Sequence, residues 1–177
     1  MQRMLVMTLI GQDRPGLVES VARLVAEHGG NWLESRMSRL GGQFAGILRV
    51  EIPTDREPVL VSALKQLDAC GLTVVVSQDQ VQPATAGGKL RSLEIVGHDR
   101  PGIVRQIAQA LASHNVNVED LETERSSAAM TGEILFKASA KLNIPSSCDV
   151  GALRQELEKI AADLIVEISL GEVKTAS

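Results

Sequence analysis

Aromatic residues are scarce in this chain of 177 residues, which has one Trp, two Phe and no Tyr. Aromatic side chains provide the stacking surfaces on which single-stranded nucleic acids and many sugars bind, so their scarcity argues against both ligands. Basic residues are also outnumbered, with 18 Lys and Arg against 22 Asp and Glu. Without a basic run there is no electrostatic footprint for a phosphate backbone, and we expect no direct contact with nucleic acid.

Long apolar runs and metal-ligand patterns are missing as well. No segment approaches the roughly 20 apolar residues of a membrane-spanning helix, and the N-terminus lacks a signal-peptide pattern. The sequence therefore predicts a cytoplasmic protein without a membrane partner. Cys70 and Cys148 have no close spacing with each other or with histidine, so we expect free thiols and no metal site.

The chain contains the same unit twice. Residues 11–18 read Gly-Gln-Asp-Arg-Pro-Gly-Leu-Val and residues 97–104 read Gly-His-Asp-Arg-Pro-Gly-Ile-Val, with six of eight positions identical at an offset of 86. The same offset places Asn31 opposite Asn117. It grows to about 92 by Ile144, which answers Ile52, so the second copy has a few extra residues in its central hairpin.

Residues 82–88 separate the copies with small, polar and turn-favouring residues that are typical of a linker. We predict a first domain at 1–82, a linker at 83–89 and a second domain at 90–177. A unit of about 85 residues buries only about 60 to 65% of its unfolded surface. Because each unit is marginal alone, we expect the copies to pack on each other or to form a homo-oligomer.

Each copy shows the pattern strand, helix, strand, strand, helix, strand. In the first copy we predict strands at 3–10, 31–40, 44–52 and 72–76, joined by the hairpin signal Gly41-Gly42. Asp13 is able to cap the first helix, and the fixed backbone of Pro15 suits its first turn. The predicted helix faces are Leu17, Val21, Leu24, Val25 and His28, then Val59, Leu60, Ala63, Leu64 and Leu67, the second helix ending at Gly71.

In the second copy the predicted helix faces are Ile103, Ile107 and Leu111, then Leu153, Leu157 and Ile160, and a strand from Leu164 to Leu170 closes the unit. Right-handed crossovers turn this order into a four-stranded antiparallel sheet with both helices on one face. The predicted class is α+β, with two tandem ferredoxin-like domains. The other sheet face is apolar in the first copy and carries Ser92 and Glu94 in the second.

The repeated loop is suited to binding a carboxylate. It passes into a helix within about five residues, and the free N–H groups near Gly16 and Leu17 form an anion-binding helix start. Gly16 and Gly102 allow close approach, and Asp13 and Asp99 are able to meet an ammonium group. The amides of Asn31 and Asn117 serve either end of a zwitterion.

A purely structural interpretation stays open for each of these residues. The Asp-Arg-Pro-Gly element also makes a plain strand-to-helix turn, and Asn31 and Asn117 also suit the turn after a helix. Arg14 and Arg100 pair with a carboxylate or simply face solvent. His28 and His114 end an apolar helix face, where a histidine packs or interacts with the helix dipole.

A βαββαβ unit in which a Gly-x-Asp-Arg-Pro-Gly loop leads from the first strand into the first helix resembles the ACT domain, a small regulatory module that binds amino acids. The tandem copies, with residues 29–37 and 40–46 in the first, resemble the glycine cleavage system transcriptional repressor family over roughly residues 3–172. The resemblance implies a regulator without catalytic residues or cofactors. It implies a free amino acid, glycine first, as ligand and a separate DNA-binding activator protein as partner.

In ACT domains the ligand commonly lies where two domains meet, near the loop after the first strand. By matching motif, the resemblance implies these ligand-binding residues: Asp13, Arg14, Pro15, Gly16, Leu17 and Asn31, with Asp99, Arg100, Pro101, Gly102, Ile103 and Asn117. The copies differ at Gln12 against His98 and at Trp32 against Val118. Either one site is functional and the other is vestigial, or each site prefers a different ligand.

Three other interpretations fit parts of the sequence. Acylphosphatases share the ferredoxin-like fold and place an arginine before the first helix, but Pro15 removes an N–H that a phosphate cradle needs. A sensor for another amino acid or pathway, and an interaction module without any ligand, remain open.

Overall fold

The computed structural model describes residues 1–79, 88–127 and 133–173. The chain divides into two compact units, Met1–Val81 and Gln82–Ser177. Most of the predicted linker at 83–89 lies outside the described residues, and Lys89 already opens a strand. Among the described helices, none is long and apolar enough to cross a membrane.

The first unit forms one antiparallel sheet with two helices. Its elements are β1 (Gln2–Gln12), α1 (Leu17–Glu27), β2 (Asn31–Leu40), β3 (Gln43–Pro53), α2 (Glu57–Lys65), a 3₁₀ helix (Gln66–Cys70) and β4 (Leu72–Gln78). The strand order is β2-β3-β1-β4, and every neighbouring pair is antiparallel.

The second unit repeats this topology. Its elements are β5 (Lys89–His98), α3 (Ile103–Ser113), β6 (Asn117–Ser127), β7 (Ile134–Ile144), α4 (Val150–Leu164) and β8 (Val166–Glu172). The strand order is β6-β7-β5-β8, again antiparallel throughout. The predicted α+β class and tandem βαββαβ architecture are therefore confirmed.

The duplication extends to an irregularity in the sheets. The register of β2 against β3 shifts between Trp32 and Glu34, and that of β6 against β7 shifts between Val118 and Asp120, 86 residues later. Each shift is a bulge that inserts one residue opposite a regular strand. In β2 the bulge lets Trp32 pack against the core while Glu34 pairs across the other sheet face with Arg49.

Each unit has its own hydrophobic core between the helices and one sheet face. The first core is built on β1, β3, β4 and the buried sides of α1 and α2. The second uses the equivalent elements, including Leu153 and Leu157 of α4. The predicted faces of α1 and α3 are confirmed. On α2 the face is narrower than predicted, because Leu60 is fully buried whereas Val59 is 53% exposed.

The opposite sheet faces differ between the units, as predicted. Ile10, Ile47 and Val75 lie on neighbouring strands of the first sheet and are half exposed or more. At the matching strands of the second sheet, Glu94 faces Ser139 and Lys137 lies beside Glu124. The first sheet therefore exposes more apolar side chains on this face, and the second exposes more polar and charged ones.

The start of β8 corrects the sequence prediction. Helix α4 continues through Leu164, Ile165 takes a left-handed conformation with φ 56°, and the strand begins at Val166 rather than at Leu164. In the first unit Gly71 occupies the equivalent position with φ 77°. Leu164, Ile165 and Val166 are all apolar and none is a glycine, so the sequence does not mark the turn at Ile165.

Substitutions at these two turns should change the stability of the two units in opposite directions. A left-handed backbone costs an L residue about 1 to 2 kcal/mol, and a β-branched side chain there is an outlier. Ile165→Gly should stabilise the second unit by about 0.5 to 1 kcal/mol after the entropy of glycine is subtracted. Gly71→Ala should destabilise the first unit by about 1 kcal/mol. Denaturant unfolding measures both, and a loss of stability in Ile165→Gly would contradict the account.

Candidate functional site

The repeated loops enter their helices through a glycine in the left-handed region. Gly16 has φ 91° and Gly102 has φ 96°, and the helices begin at the next residue. In the part of the chain that the structure describes, no side chain caps either start. The predicted capping role of Asp13 is therefore wrong, and Pro15 precedes the first turn instead of starting it. The first-turn N–H groups are left without a side-chain partner, whereas Asp149 caps α4.

The two aspartates instead hold arginines from the neighbouring hairpins. Arg39 Nε lies 2.6 Å from a carboxylate oxygen of Asp13, and Arg125 Nε lies 2.7 Å from one of Asp99. The backbone N–H of Asp13 also donates to the carbonyl of Gly42 at 2.9 Å. Each aspartate therefore ties its loop to a hairpin. In this arrangement its charge is neutralised by an arginine.

Arg39 and Arg125 are site residues that the sequence reasoning missed. They are 86 residues apart, so the offset read from the Asp-Arg-Pro-Gly loops already placed them opposite each other. Extending that register beyond Asn31 and Asn117 would have found the pair.

The arginines of the two loops behave differently. Arg14 Nη2 donates to the backbone carbonyl of Cys70 at 2.6 Å, which fastens the first loop to the end of the 3₁₀ helix. Arg100 is exposed and forms no hydrogen bond or ion pair with the described residues. The second loop therefore offers a guanidinium that the described residues of its domain do not use.

The remaining loop residues divide into surface and core. Pro15 and Pro101 are exposed, and a Cβ added at Gly16 or Gly102 would meet nothing within 4 Å. The surface above each turn is therefore open, and the positive φ is what requires glycine there.

Leu17 and Ile103 do not present side chains to that surface. They are only 5% and 2% exposed and belong to the two cores. Leu17 and Ile103 can therefore meet a ligand at the helix start only through their backbone N–H groups.

The two asparagines lie far from the loops of their own domains. Asn31 pairs with Glu51, which in turn pairs with Met4 near the start of β1. Asp13 follows the other end of β1, nine residues on, which at strand spacing is about 30 Å away. Asn117 is placed in the same way and donates to Glu119 at 2.9 Å. The structure therefore does not bring loop and asparagine together within one domain.

Both helix-terminal histidines have hydrogen-bond partners within their own domains. His28 Nδ1 lies 2.7 Å from the carbonyl of Leu24, and His114 Nε2 lies 2.9 Å from a carboxylate oxygen of Glu156. These contacts agree with the structural interpretation of both residues.

The first helical turns carry opposite charges. α1 has Glu19 there, with Arg23 Nε 3.6 Å from its carboxylate, whereas the equivalent residue of α3 is Arg105. A carboxylate near a helix start competes with an anionic ligand, and a guanidinium attracts one. The second helix start is therefore the more favourable place for an anion.

A cleft of about 540 Å³ opens at the end of the second sheet. Apolar side chains of Val96, Leu135, Ala161 and Val166 line it. His98 and Glu167 add polar groups, and His98 is the residue directly before the Asp99 loop.

Burial, and to a smaller extent the charge of Asp149, raises the pKa of the Cys148 thiol. A nucleophilic or metal-binding cysteine needs a lowered pKa, so this thiol is poorly suited to either role. Cys70 is exposed, and both cysteines are free. Within the described ranges, no group of three or more His, Cys, Asp or Glu side chains could hold a metal.

Comparisons with known proteins match ACT-domain models to residues 3–77 and 91–137. The glycine cleavage system transcriptional repressor of Escherichia coli is 22% identical over 97% of this chain and 91% of its own length. A solved protein of unknown function from Galdieria sulphuraria has TM-score 0.86 and 27% identity, covering 98% of this chain and 99% of the other. A solved structure assigned to the glycine cleavage repressor has TM-score 0.72 and 20% identity, with 99% of both chains covered.

Proposed function

The chain belongs to the ACT-domain family, with one such domain in each half, and from this we propose that it is a regulatory protein that senses a free amino acid. More specifically, we propose that glycine is the ligand, and that the protein regulates glycine cleavage through contact with a DNA-binding activator protein. The observation that carries this proposal is the similarity to the E. coli repressor over 97% of the chain.

The geometry of the loops supports a carboxylate ligand. Each loop leads into a helix whose first N–H groups no side chain caps within the described residues, and each positions an arginine beside that turn. Uncapped N–H groups and the positive end of the helix dipole stabilise a carboxylate. Since Asn31 and Asn117 lie at the far ends of their own sheets, they contribute to such a site only if a neighbouring ACT domain supplies them.

Charge supports action through a protein partner rather than on DNA. The exposed edge strand β6 carries four acidic residues, Glu119, Asp120, Glu122 and Glu124, in a chain of net charge -4. This surface repels a phosphate backbone, and phosphate contacts supply most of the affinity of DNA-binding proteins. We therefore propose that DNA contact is left to the partner.

A second candidate function is a protein-interaction module without a ligand. The apolar face of the first sheet favours it, because Ile10, Ile47 and Val75 are exposed by 50%, 55% and 59%. Exposed apolar side chains grouped on one face are typical of interaction sites. In this case the loops would be structural turns, and amino acids would leave the protein unchanged.

Thermal unfolding of the full chain with each of the twenty amino acids separates the two candidates. A ligand at about 100 times its dissociation constant stabilises the native state by roughly 2.7 kcal/mol, which raises the midpoint by a few degrees. We expect such a shift with glycine and none with methylamine, which lacks the carboxylate. A flat response to the whole panel would contradict amino-acid sensing and favour the interaction module.

A further inference from the structure

We propose that β4 is an interaction edge on which a second copy of this chain adds its own β4, so that two four-stranded sheets join into one antiparallel sheet. The inference goes beyond amino-acid sensing and does not depend on it. Three features of β4 support it: unused backbone groups on its outer side, the absence of the devices that protect the other edges, and a sequence that can pair with itself.

The backbone groups on the outer side of β4 are unused. Among the described strands, β4 pairs with β1 alone. The N–H of Asp79 donates to the carbonyl of Met4 at 3.1 Å, so the backbone of this residue points toward β1. Because backbone direction alternates along an antiparallel strand, the groups of every second residue before Asp79 also point toward β1. The residues whose N–H and carbonyl groups point away from the sheet are Leu72, Val74, Val76 and Gln78. Within the described part of the chain, no hydrogen bond uses these outward groups.

The other sheet edges carry features that oppose strand addition, and β4 does not. β2 and β6 each contain a bulge, and β8 carries Glu167 and Glu172. β4 reads Leu-Thr-Val-Val-Val-Ser-Gln, with no charged residue, no proline and no shift in its register against β1. Natural sheets avoid leaving such an edge exposed, because strands of other molecules add to it. An unprotected edge therefore indicates that a strand covers it in the assembled protein.

The sequence of β4 is complementary to itself. A two-fold axis at Val75 places Val74 opposite Val76 of the second copy and Leu72 opposite Gln78 of the second copy, so every outward-facing residue finds a partner. No like charges meet across the axis, because the strand has no charge.

β8 is less suited to the same arrangement. Thr8 pairs with Val75 and Glu94 pairs with Ser169, so Ser169 is the equivalent of Val75. A two-fold axis at Ser169 would gather the carboxylates of Glu167 and Glu172 from both copies along one seam. Like charges close together destabilise paired strands, so the pairing is assigned to the first domain.

Val75 supplies the apolar contact at the centre of the pairing. Its side chain is exposed and lies on the same face as that of Ile47, with Thr8 between them in the register. The Cα atoms of a non-hydrogen-bonded antiparallel pair are about 4.5 Å apart, so the two Val75 side chains would touch. The pairing therefore joins the apolar sheet faces of two first domains.

Sedimentation equilibrium of the full chain tests the proposal with Val75→Glu and its matched control Ser169→Glu. We expect the wild type to self-associate. Val75→Glu places two carboxylates against each other at the axis and should raise the dissociation constant of this step by at least about tenfold. Ser169→Glu makes the same change at the equivalent position of β8 and should leave the constant within about twofold. Both positions are exposed, and circular dichroism checks that both variants fold.

A cysteine at the axis tests the register of the pairing. Val75→Cys should form a disulfide-linked dimer on mild oxidation, because a Cα separation of about 4.5 Å lies within the range that disulfides span. Ser169→Cys is the control and should give no cross-link. Both changes are made in a Cys70→Ser chain, since Cys70 is exposed and free.

Several results would overturn the proposal. These are a wild type that sediments as a monomer, an association that survives Val75→Glu, equal weakening by the two glutamates, and no cross-link through Val75→Cys. None of them bears on whether the chain binds an amino acid, so amino-acid sensing stands or falls separately.

Discussion

Gly11→Ala is expected to lower the free energy of unfolding of the first domain by about 2 to 3 kcal/mol. Gly11 pairs with Leu72 at the point where β4 begins, and a Cβ built there would meet the carbonyl oxygen of Gly71 and lie 3.2 Å from Leu72 Cα. Both atoms belong to the backbone, so neither can rotate away. The strands must separate or the turn must move, and well-packed sheets resist both.

The second copy repeats this close approach. A Cβ on Gly97 would lie 2.7 Å from Val166 Cα, so Gly97→Ala should destabilise the second domain by a similar amount. Gly16→Ala is the matched control, since its Cβ meets nothing and only the left-handed strain of about 1 kcal/mol remains. Denaturant titrations of the three variants measure the difference. If Gly11→Ala unfolded at the wild-type midpoint, the close approach of β1 and β4 would not be a structural requirement.

Leu60→Ala is expected to cost the first domain about 3 kcal/mol. The Leu60 side chain on α2 is completely buried in the first core, so its removal loses the transfer free energy and leaves a cavity. Small domains have only a few kcal/mol to lose, because they bury a modest fraction of their surface. The substitution therefore consumes much of the stability of this unit.

The neighbouring Val59 provides the control. It is 53% exposed, so Val59→Ala should change stability by less than about 0.5 kcal/mol. Amide hydrogen exchange resolves the effect by domain, and the protected amides of β1 and β3 should exchange faster in Leu60→Ala than in Val59→Ala. Equal exchange in the two variants would contradict the burial of Leu60.

Much of the fold could be predicted because the chain repeats itself. The offset of 86 that aligns the two Asp-Arg-Pro-Gly loops also aligns α1 with α3, down to His28 and His114 at their C-terminal ends. Two copies with the same periodicity of apolar residues restrict the topology more than one copy does. The strand order then follows from right-handed crossovers.

The site was less predictable, for two separate reasons. The position of Asn31 relative to Asp13 was already contained in the predicted topology, since β2 begins at the end of the sheet where β1 begins. The partners of Asp13 and Arg14 could not be predicted from the topology. Several carbonyls and cations lie within reach of each side chain, and no signal in the sequence selects one of them. A pattern of residue types locates the loop, but contacts at its rim depend on the elements around it.

The turn at Ile165 is another feature that has no signal in the sequence, unlike the equivalent turn at Gly71. Both residues turn the chain from a helix into the last strand of their unit with a positive φ. Glycine in a sequence indicates such a turn, whereas isoleucine is typical of a strand. The predicted start of β8 was wrong for this reason.

The bulges in β2 and β6 bear on how the protein behaves when it is concentrated. β2 and β6 are edge strands, and an unbroken edge is a template on which strands of other molecules can add. Leu33 and Glu119 each interrupt the regular alternation of backbone donors and acceptors two residues into the strand. An incoming strand would lose its register there, and in β6 it would also meet a row of carboxylates. Built twice into the chain, the same small defect opposes strand addition at one edge of each sheet.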